Sequence, residues 1–271
     1  MNGMKERFKN LILKLGSWYR YIQLNPQEGK QDIVPLRYRV EPITFNFGHK
    51  YYPYKVDSPD KYWTPSFVEE ISKFKHYKLY TQFLPKKFDN VSIPYGTGVI
   101  ESDSEYKYGY FTCKIKFPFG RLYAWPAFWL YGSDGKIYSE IDIVEAYSKK
   151  GDYEQFKKFE SNVHYQYNEN SWVNTGTKTH AISEYRFYKD GLRELNCKID
   201  PDFVKFSLHW TKDFLRFYYD GYLVREVTDK NILDKLVPMK VVINNSVETK
   251  YSPSNDSIME VKDIEVWKEV E

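Results

Sequence analysis

Trp125-Pro-Ala-Phe-Trp-Leu-Tyr-Gly132, a break at Asp134-Gly135, and Ser139-Glu-Ile-Asp-Ile-Val-Glu-Ala146 form the stretch that decides the fold. Alternation sets the faces of the first run. Trp125, Ala127 and Trp129 share one side of an extended strand, and Phe128 and Leu130 take the other. In the second run Glu140 and Asp142 share a face while Ile141 and Ile143 point into a core. Glu145 falls three residues after Asp142 and would face the core on a regular strand. A β-bulge at Ile143-Val144 absorbs one residue and returns Glu145 to the acidic face. Three carboxyls in a row repel one another, which raises the pKa of at least one. The backbones of the two glutamates then lie about 13 Å apart at about 3.3 Å per residue, and their long side chains can lean together. An alternating Glu-Ile-Asp-Ile strand is also ordinary on a half-exposed sheet. Two tryptophans beside it add a surface on which a sugar ring can stack, although indoles on one face serve equally well as core.

The rest of the chain agrees with strands. Among 271 residues 19% are aromatic, and only Ala124, Ala127, Ala146 and Ala181 are alanines. A chain that discards the best helix former and fills with Tyr and Phe is built from β-structure. From Tyr110 to Phe117, apolar Phe111, Cys113, Ile115 and Phe117 alternate with Thr112, Lys114 and Lys116. Asp220-Gly221 sits between Phe214–Tyr219 and Tyr222–Val227 and predicts a hairpin, because such a turn needs positive φ at both central residues. Lys240–Asn244 and Met259–Trp267 read as further strands, and short helices are expected near Ser66–Lys75 and Asp229–Leu236. The expectation is an all-β sandwich or barrel over residues 31–271, preceded by an arm over residues 1–30. In that arm Phe8, Leu11, Leu15, Trp18 and Ile22 recur at helical spacing among Lys5, Arg7, Lys9 and Lys14. This pattern fits a helix packed on the domain or one that contacts a partner or a membrane surface.

Several function classes are excluded. Forty basic and 37 acidic side chains leave a net charge of +3, too balanced for a nucleic-acid footprint. Mean hydropathy is −0.66, and no apolar run approaches the length of a membrane span. Cys113 and Cys197 both fall on the apolar side of alternating strands, as buried thiols or as one disulfide, and no Cys/His run has zinc spacing. Met1–Ile22 does not read as a secretory signal, since Leu11-Ile-Leu13 is cut by Lys14 and no small-residue cleavage site follows.

Three segments together resemble glycoside hydrolase family 16: Tyr108-Gly-Tyr-Phe-Thr-Cys-Lys-Ile-Lys-Phe-Pro118, Trp125-Pro-Ala-Phe-Trp129 and Glu140-Ile-Asp-Ile-Val-Glu145. The spacing is similar to the bulged Glu-x-Asp-x-x-Glu branch that contains laminarinases, agarases and carrageenases. Weaker similarity runs through Asn162-Val-His164, His209–Asp213, Pro238–Asn244 and Asp263–Trp267.

The resemblance implies a jelly-roll β-sandwich of the concanavalin A-like kind with a cleft on its concave sheet. It implies a retaining endo-β-glycosidase, with Glu140 as nucleophile, Glu145 as general acid/base and Asp142 as an assisting carboxylate that hydrogen-bonds the nucleophile and keeps the acid protonated through its charge. A retaining pair of carboxyls stands about 5–5.5 Å apart. Trp125, Trp129, His164 and Asn244 would contact the sugar. The polymer would be a β-1,3- or mixed-linkage glucan first and a β-galactan next. No cofactor is required for this chemistry, although Asp263 matches a position that helps bind a structural calcium in some members. The expected protein is a monomer whose partner is polysaccharide, acting outside the cell or on a particle.

Departures bear on this reading. The chain has Gly98-Val-Ile100 where many members have Gly-Arg-Ile, which removes a polar substrate contact, and the family's acidic N-terminal motif has no counterpart in Ile43–Tyr54. Lys149–Phe159 is a Lys- and Tyr-rich loop, either solvated or a basic rim for an anionic glycan. Two other functions fit the same residues: a non-catalytic glycan-binding jelly roll, and a transglycosylase using the same covalent intermediate.

Overall fold

The computed structural model describes residues 38–46, 61–72, 75–88, 90–118, 124–146, 158–166, 172–174, 178–181, 203–247 and 257–270. The arm over residues 1–30, Asp190-Gly191, Cys197 and most of Lys149–Phe159 lie outside them.

In chain order the strands are β1 (Tyr38–Glu41), β2 (Phe45–Asn46), β3 (Lys61–Trp63), β4 (Val68–Ser72), β5 (His76–Phe88) and β6 (Val91–Thr97). They continue with β7 (Val99–Tyr106), β8 (Gly109–Lys116), β9 (Ala124–Ser133), β10 (Tyr138–Glu145), β11 (Lys158–Gln166) and β12 (Trp172–Asn174). The last six are β13 (Lys178–Ala181), β14 (Val204–Trp210), β15 (Leu215–Tyr219), β16 (Tyr222–Val227), β17 (Met239–Val247) and β18 (Ser257–Glu269). One sheet has ten strands and the path β16–β15–β14–β8–β18–β5–β6–β3, with β1 on β18 and β4 on β5. The other has eight and the path β12–β11–β10–β9–β17–β7–β2, with β13 on β11. This is the expected two-sheet sandwich.

The sheets meet along their apolar faces. Phe111, Cys113 and Ile115 of β8, with Phe206, Leu208 and Trp210 of β14, share one core with Phe128 and Leu130 of β9, Ile141 and Ile143 of β10, and Ile243 of β17. The period-2 reading of β8, β9 and β10 therefore holds residue by residue. Cys113 is a buried free thiol, and its pKa is pushed up by desolvation. The Asp220-Gly221 hairpin forms as expected, with φ of 47° and 89° joining β15 to β16.

Of the two expected helices, Asp229–Leu236 contains one, α1 (Lys230–Leu233), capped by the Asp229 carboxylate on Asn231 N. Ser66–Lys75 does not form one. A single 3₁₀ turn, Pro65–Phe67, is capped by Thr64, and the chain then extends as β4 against β5, pairing Glu69 with Lys78 and Glu70 with Tyr77. The Val68–Ile71 segment takes the ladder because an adjacent strand edge outweighs a modest local helix preference. Gly98 permits the same region to close, because a Cβ there would lie 2.2 Å from the Phe67 carbonyl oxygen.

Candidate active site

The outer face of the eight-stranded sheet carries the site. Strand β10 pairs with β9 and β11, and its register places Asp142 opposite Trp129 on one side and Asn162 on the other, with Glu140 opposite His164. The register then shifts between Asp142 and Glu145, so the bulge lies where the position of Glu145 requires it. A buried hydroxyl from the opposite sheet backs it: Tyr219 Oη donates to Ile143 O at 2.9 Å. Arg225 of β16 reaches the same sheet and donates to Ser161 O at 2.6 Å.

Glu140, Asp142 and Glu145 consequently line one cleft with Trp125, Ala127, Trp129, Lys61, Trp63, Asn244 and Ser246. Each carboxyl has a different environment. Glu145 is buried and accepts from Trp125 Nε1 at 3.0 Å on one oxygen and from Asn162 Nδ2 at 2.6 Å on the other. Glu140 accepts from Tyr138 Oη at 2.8 Å and is the most open of the three. Asp142 is held well above the usual carboxylate range, first by desolvation and then by the charges of Glu145 and Glu140. His164 Nε2 lies 3.3 Å from Asp142 Oδ2 and 4.0 Å from Glu140 Oε1. Burial, helped by the Arg225 charge, lowers its pKa to about 4, so the imidazole is neutral at pH 7.

The tryptophans have polar duties beside their apolar ones. The Lys61 ammonium sits 4.4 Å from the centroid of Trp125, covering one ring face, and donates to Val247 O at 3.2 Å. Trp129 Nε1 donates to Asn244 Oδ1 at 2.7 Å, and its ring tilts against Tyr131 with centroids 5.2 Å apart. Val99, in the Gly98-Val-Ile100 departure, is buried against Ala127, Trp129 and Val242 and adds no polar group to the cleft.

Asp263 stands apart from this site. It lies on β18 of the ten-stranded sheet at φ 52°, half-exposed, with Lys114 Nζ 2.7 Å from its carboxylate. It joins no cluster of three ligating side chains among the described residues. A calcium ion needs six or more oxygens, and an ammonium group already holds this one, so these residues do not fit a calcium.

Sequence reasoning missed Lys61 and Trp63, which enter the cleft through parallel pairing of β3 with β6, a contact that no local pattern encodes. It also missed the part played by Asn162, although Asn162 lies two residues before His164 and so shares its face.

A two-sheet sandwich with three crowded carboxyls between tryptophans on one sheet face is the architecture of a carbohydrate-active protein. The family model for glycosyl hydrolases family 16 matches residues 61–258, and the chain belongs to that family. Among curated proteins, the endo-1,3-1,4-beta-glycanase EglC of Rhizobium meliloti (strain 1021) is 26% identical over 168 residues, covering 61% of this chain and 30% of that protein. The kappa-carrageenase of Pseudoalteromonas carrageenovora is 28% identical over 147 residues, covering 51% of this chain and 34% of that one. The chain thus spans about a third of the length of the curated relatives it matches. The crystal structure of that kappa-carrageenase with an oligotetrasaccharide of kappa-carrageenan superposes with a TM-score of 0.63 at 21% identity, covering 83% of this chain and 89% of that one. At that identity the likeness shows the fold.

Proposed function

We propose that this chain is a retaining endo-β-glycosidase that cleaves a β-linked polysaccharide by double displacement. The observation that carries the reading is the division of labour among three carboxyls on one bulged strand: Glu140 open, Asp142 buried with its pKa pushed up by desolvation, and Glu145 fixed through both oxygens. In the first step a Glu140 oxygen bonds to the anomeric carbon as the glycosidic C–O bond breaks, and Glu145 gives its proton to the leaving oxygen. In the second step Glu145 takes a proton from water, whose oxygen attacks the anomeric carbon and releases Glu140 from its ester. Tyr138 steadies the nucleophile through its hydroxyl, leaving Oε1 toward His164. Crowding of three acids on one face disfavours full ionisation, which supports a protonated Glu145 when the leaving group arrives.

The first substrates to test are β-1,3- and mixed-linkage glucans, then β-galactans, following the names of the relatives. The test is digestion of laminarin, mixed-linkage β-glucan, agarose and carrageenans by wild type and Glu140→Gln, read by reducing ends and oligosaccharide mass. Wild type is expected to cut one polymer and the variant to lose at least about 10³-fold. Full activity in the variant overturns the assignment. Retardation in an affinity gel without any cleavage would favour a glycan-binding module, and transfer to added oligosaccharide acceptors would make the enzyme a transglycosylase.

A further inference from the structure

We propose that Glu140, Asp142 and His164 form a tridentate site for a borderline divalent cation, Zn²⁺ above all, at the floor of the cleft. One ligand atom from each lies within 4.8 Å of the other two. The spacing between His164 Nε2 and Asp142 Oδ2 is 3.3 Å, and that to Glu140 Oε1 is 4.0 Å. Zinc bonds of about 2.0–2.2 Å at tetrahedral angles put neighbouring ligand atoms about 3.3–3.6 Å apart. The His164–Asp142 edge has that length already, and Glu140, the most open of the three, closes the second edge with a small side-chain movement.

A second observation points to the same place. Asp142 Oδ2 is buried without a hydrogen-bond partner, on a side chain only 5% exposed, and it faces His164 Nε2. A buried carboxylate oxygen without a donor is costly, and a cation between it and the imidazole would satisfy both. The outer contacts are of the orienting kind: the Tyr138 hydroxyl holds Glu140 Oε2 and leaves Oε1 toward the site. Glu140 and Asp142 line the cleft with His164 buried behind them, so the fourth position opens to water, the pattern of an open zinc site. One imidazole nitrogen and two carboxylates suit Zn²⁺ better than Mg²⁺ or Ca²⁺, which want six or more oxygens. Arg225 opposes binding, because its positive charge is felt at both Asp142 and His164. The site is therefore weaker than a closed structural zinc centre.

An ion seated there covers the Glu140 carboxylate and competes with the sugar. This inhibition rests on the role proposed for Glu140 above, whereas the binding does not.

The test titrates metal-free wild type, His164→Ala and Glu140→Gln with ZnCl₂ against a chromophoric zinc indicator, with MgCl₂ in a parallel arm. Wild type is expected to take up one equivalent of Zn²⁺ and no Mg²⁺, and each variant to bind at least about tenfold more weakly. The half-buried His76–Glu260 pair is a background common to all three proteins. Thermal unfolding checks each variant, and if His164→Ala does not fold, Glu140→Gln decides alone, since it keeps the volume of the side chain. Equal affinity in wild type and folded variants, or no uptake by wild type, overturns the proposal. Loss of binding in the variants from a wild type that cuts no polymer upholds the metal site and removes the glycosidase reading. Zinc binding that is weakened in Glu140→Gln yet leaves wild-type hydrolysis unchanged upholds the metal site and overturns the nucleophile role proposed for Glu140.

Discussion

Two of the register shifts among the described residues, in β10 and β18, lie beside acidic side chains, and only the first of these two opens onto the cleft. In β10 the register shift after Asp142 brings Glu145 onto the face of Glu140 and Asp142. In β18 the shift between Lys262 and Glu265 turns Asp263 outward at positive φ. The β10 bulge is buried, backed by Tyr219, and the partners given to Glu145 are neutral N–H donors from Trp125 and Asn162. The β18 bulge is half-exposed, and its carboxylate is neutralised by Lys114. A bulge supplies direction. The surroundings supply the rest: Glu145 comes to lie in the cleft beside two other carboxyls, and Asp263 against an ammonium group.

The sharpest way to break the comparison is to remove the acid that the β10 bulge re-aims. Glu145→Gln keeps the volume of the side chain but cannot carry the proton. Hydrolysis should fall by about 10²–10⁴-fold, and stability, measured by urea unfolding, should fall by about 1–3 kcal/mol, because the new amide nitrogen meets one of the N–H donors from Trp125 and Asn162. Tyr219→Phe should come next. It strips the donor from the buried Ile143 carbonyl, for an expected loss of about 1–3 kcal/mol, with a smaller fall in turnover as the bulge loosens.

His164 gives a pH test. Its pKa falls from 6.5 to about 4 on folding, so the folded state favours neutral imidazole. That contribution is complete above the unfolded value and is lost as pH drops through the range from 6.5 toward about 4. Urea midpoints across this window should decline in wild type and decline less in His164→Asn. The smallest effect belongs to the other bulge: Lys114→Met should change stability by no more than about 1 kcal/mol and leave hydrolysis unchanged. A large loss of activity there would remove the contrast between the bulges.

The architecture was legible where period 2 governs. The faces of β8, β9 and β10, the bulge at Ile143-Val144 and the Asp220-Gly221 hairpin all followed from local alternation and turn chemistry. What depended on distant strands was not legible. Lys61 reaches Trp125 only because β3 joins the edge of the ten-stranded sheet through β6, and Tyr219 reaches Ile143 only across the sandwich. The pairing of Asp263 with Lys114 was hidden for the same reason, since Lys114 comes from the neighbouring strand β8. The helix expected near Ser66 gave way because the edge of β5 was open to a fourth strand.

The central claim is that the bulged trio cleaves with retention. Proton NMR of a fresh digest, recorded on whichever polymer the wild type cuts and before mutarotation sets in, reads the anomeric configuration of the new reducing end. The account predicts that β product appears first and the α anomer grows in later. An α product at the earliest time points would show inversion and contradict the assignment of Glu140 as nucleophile.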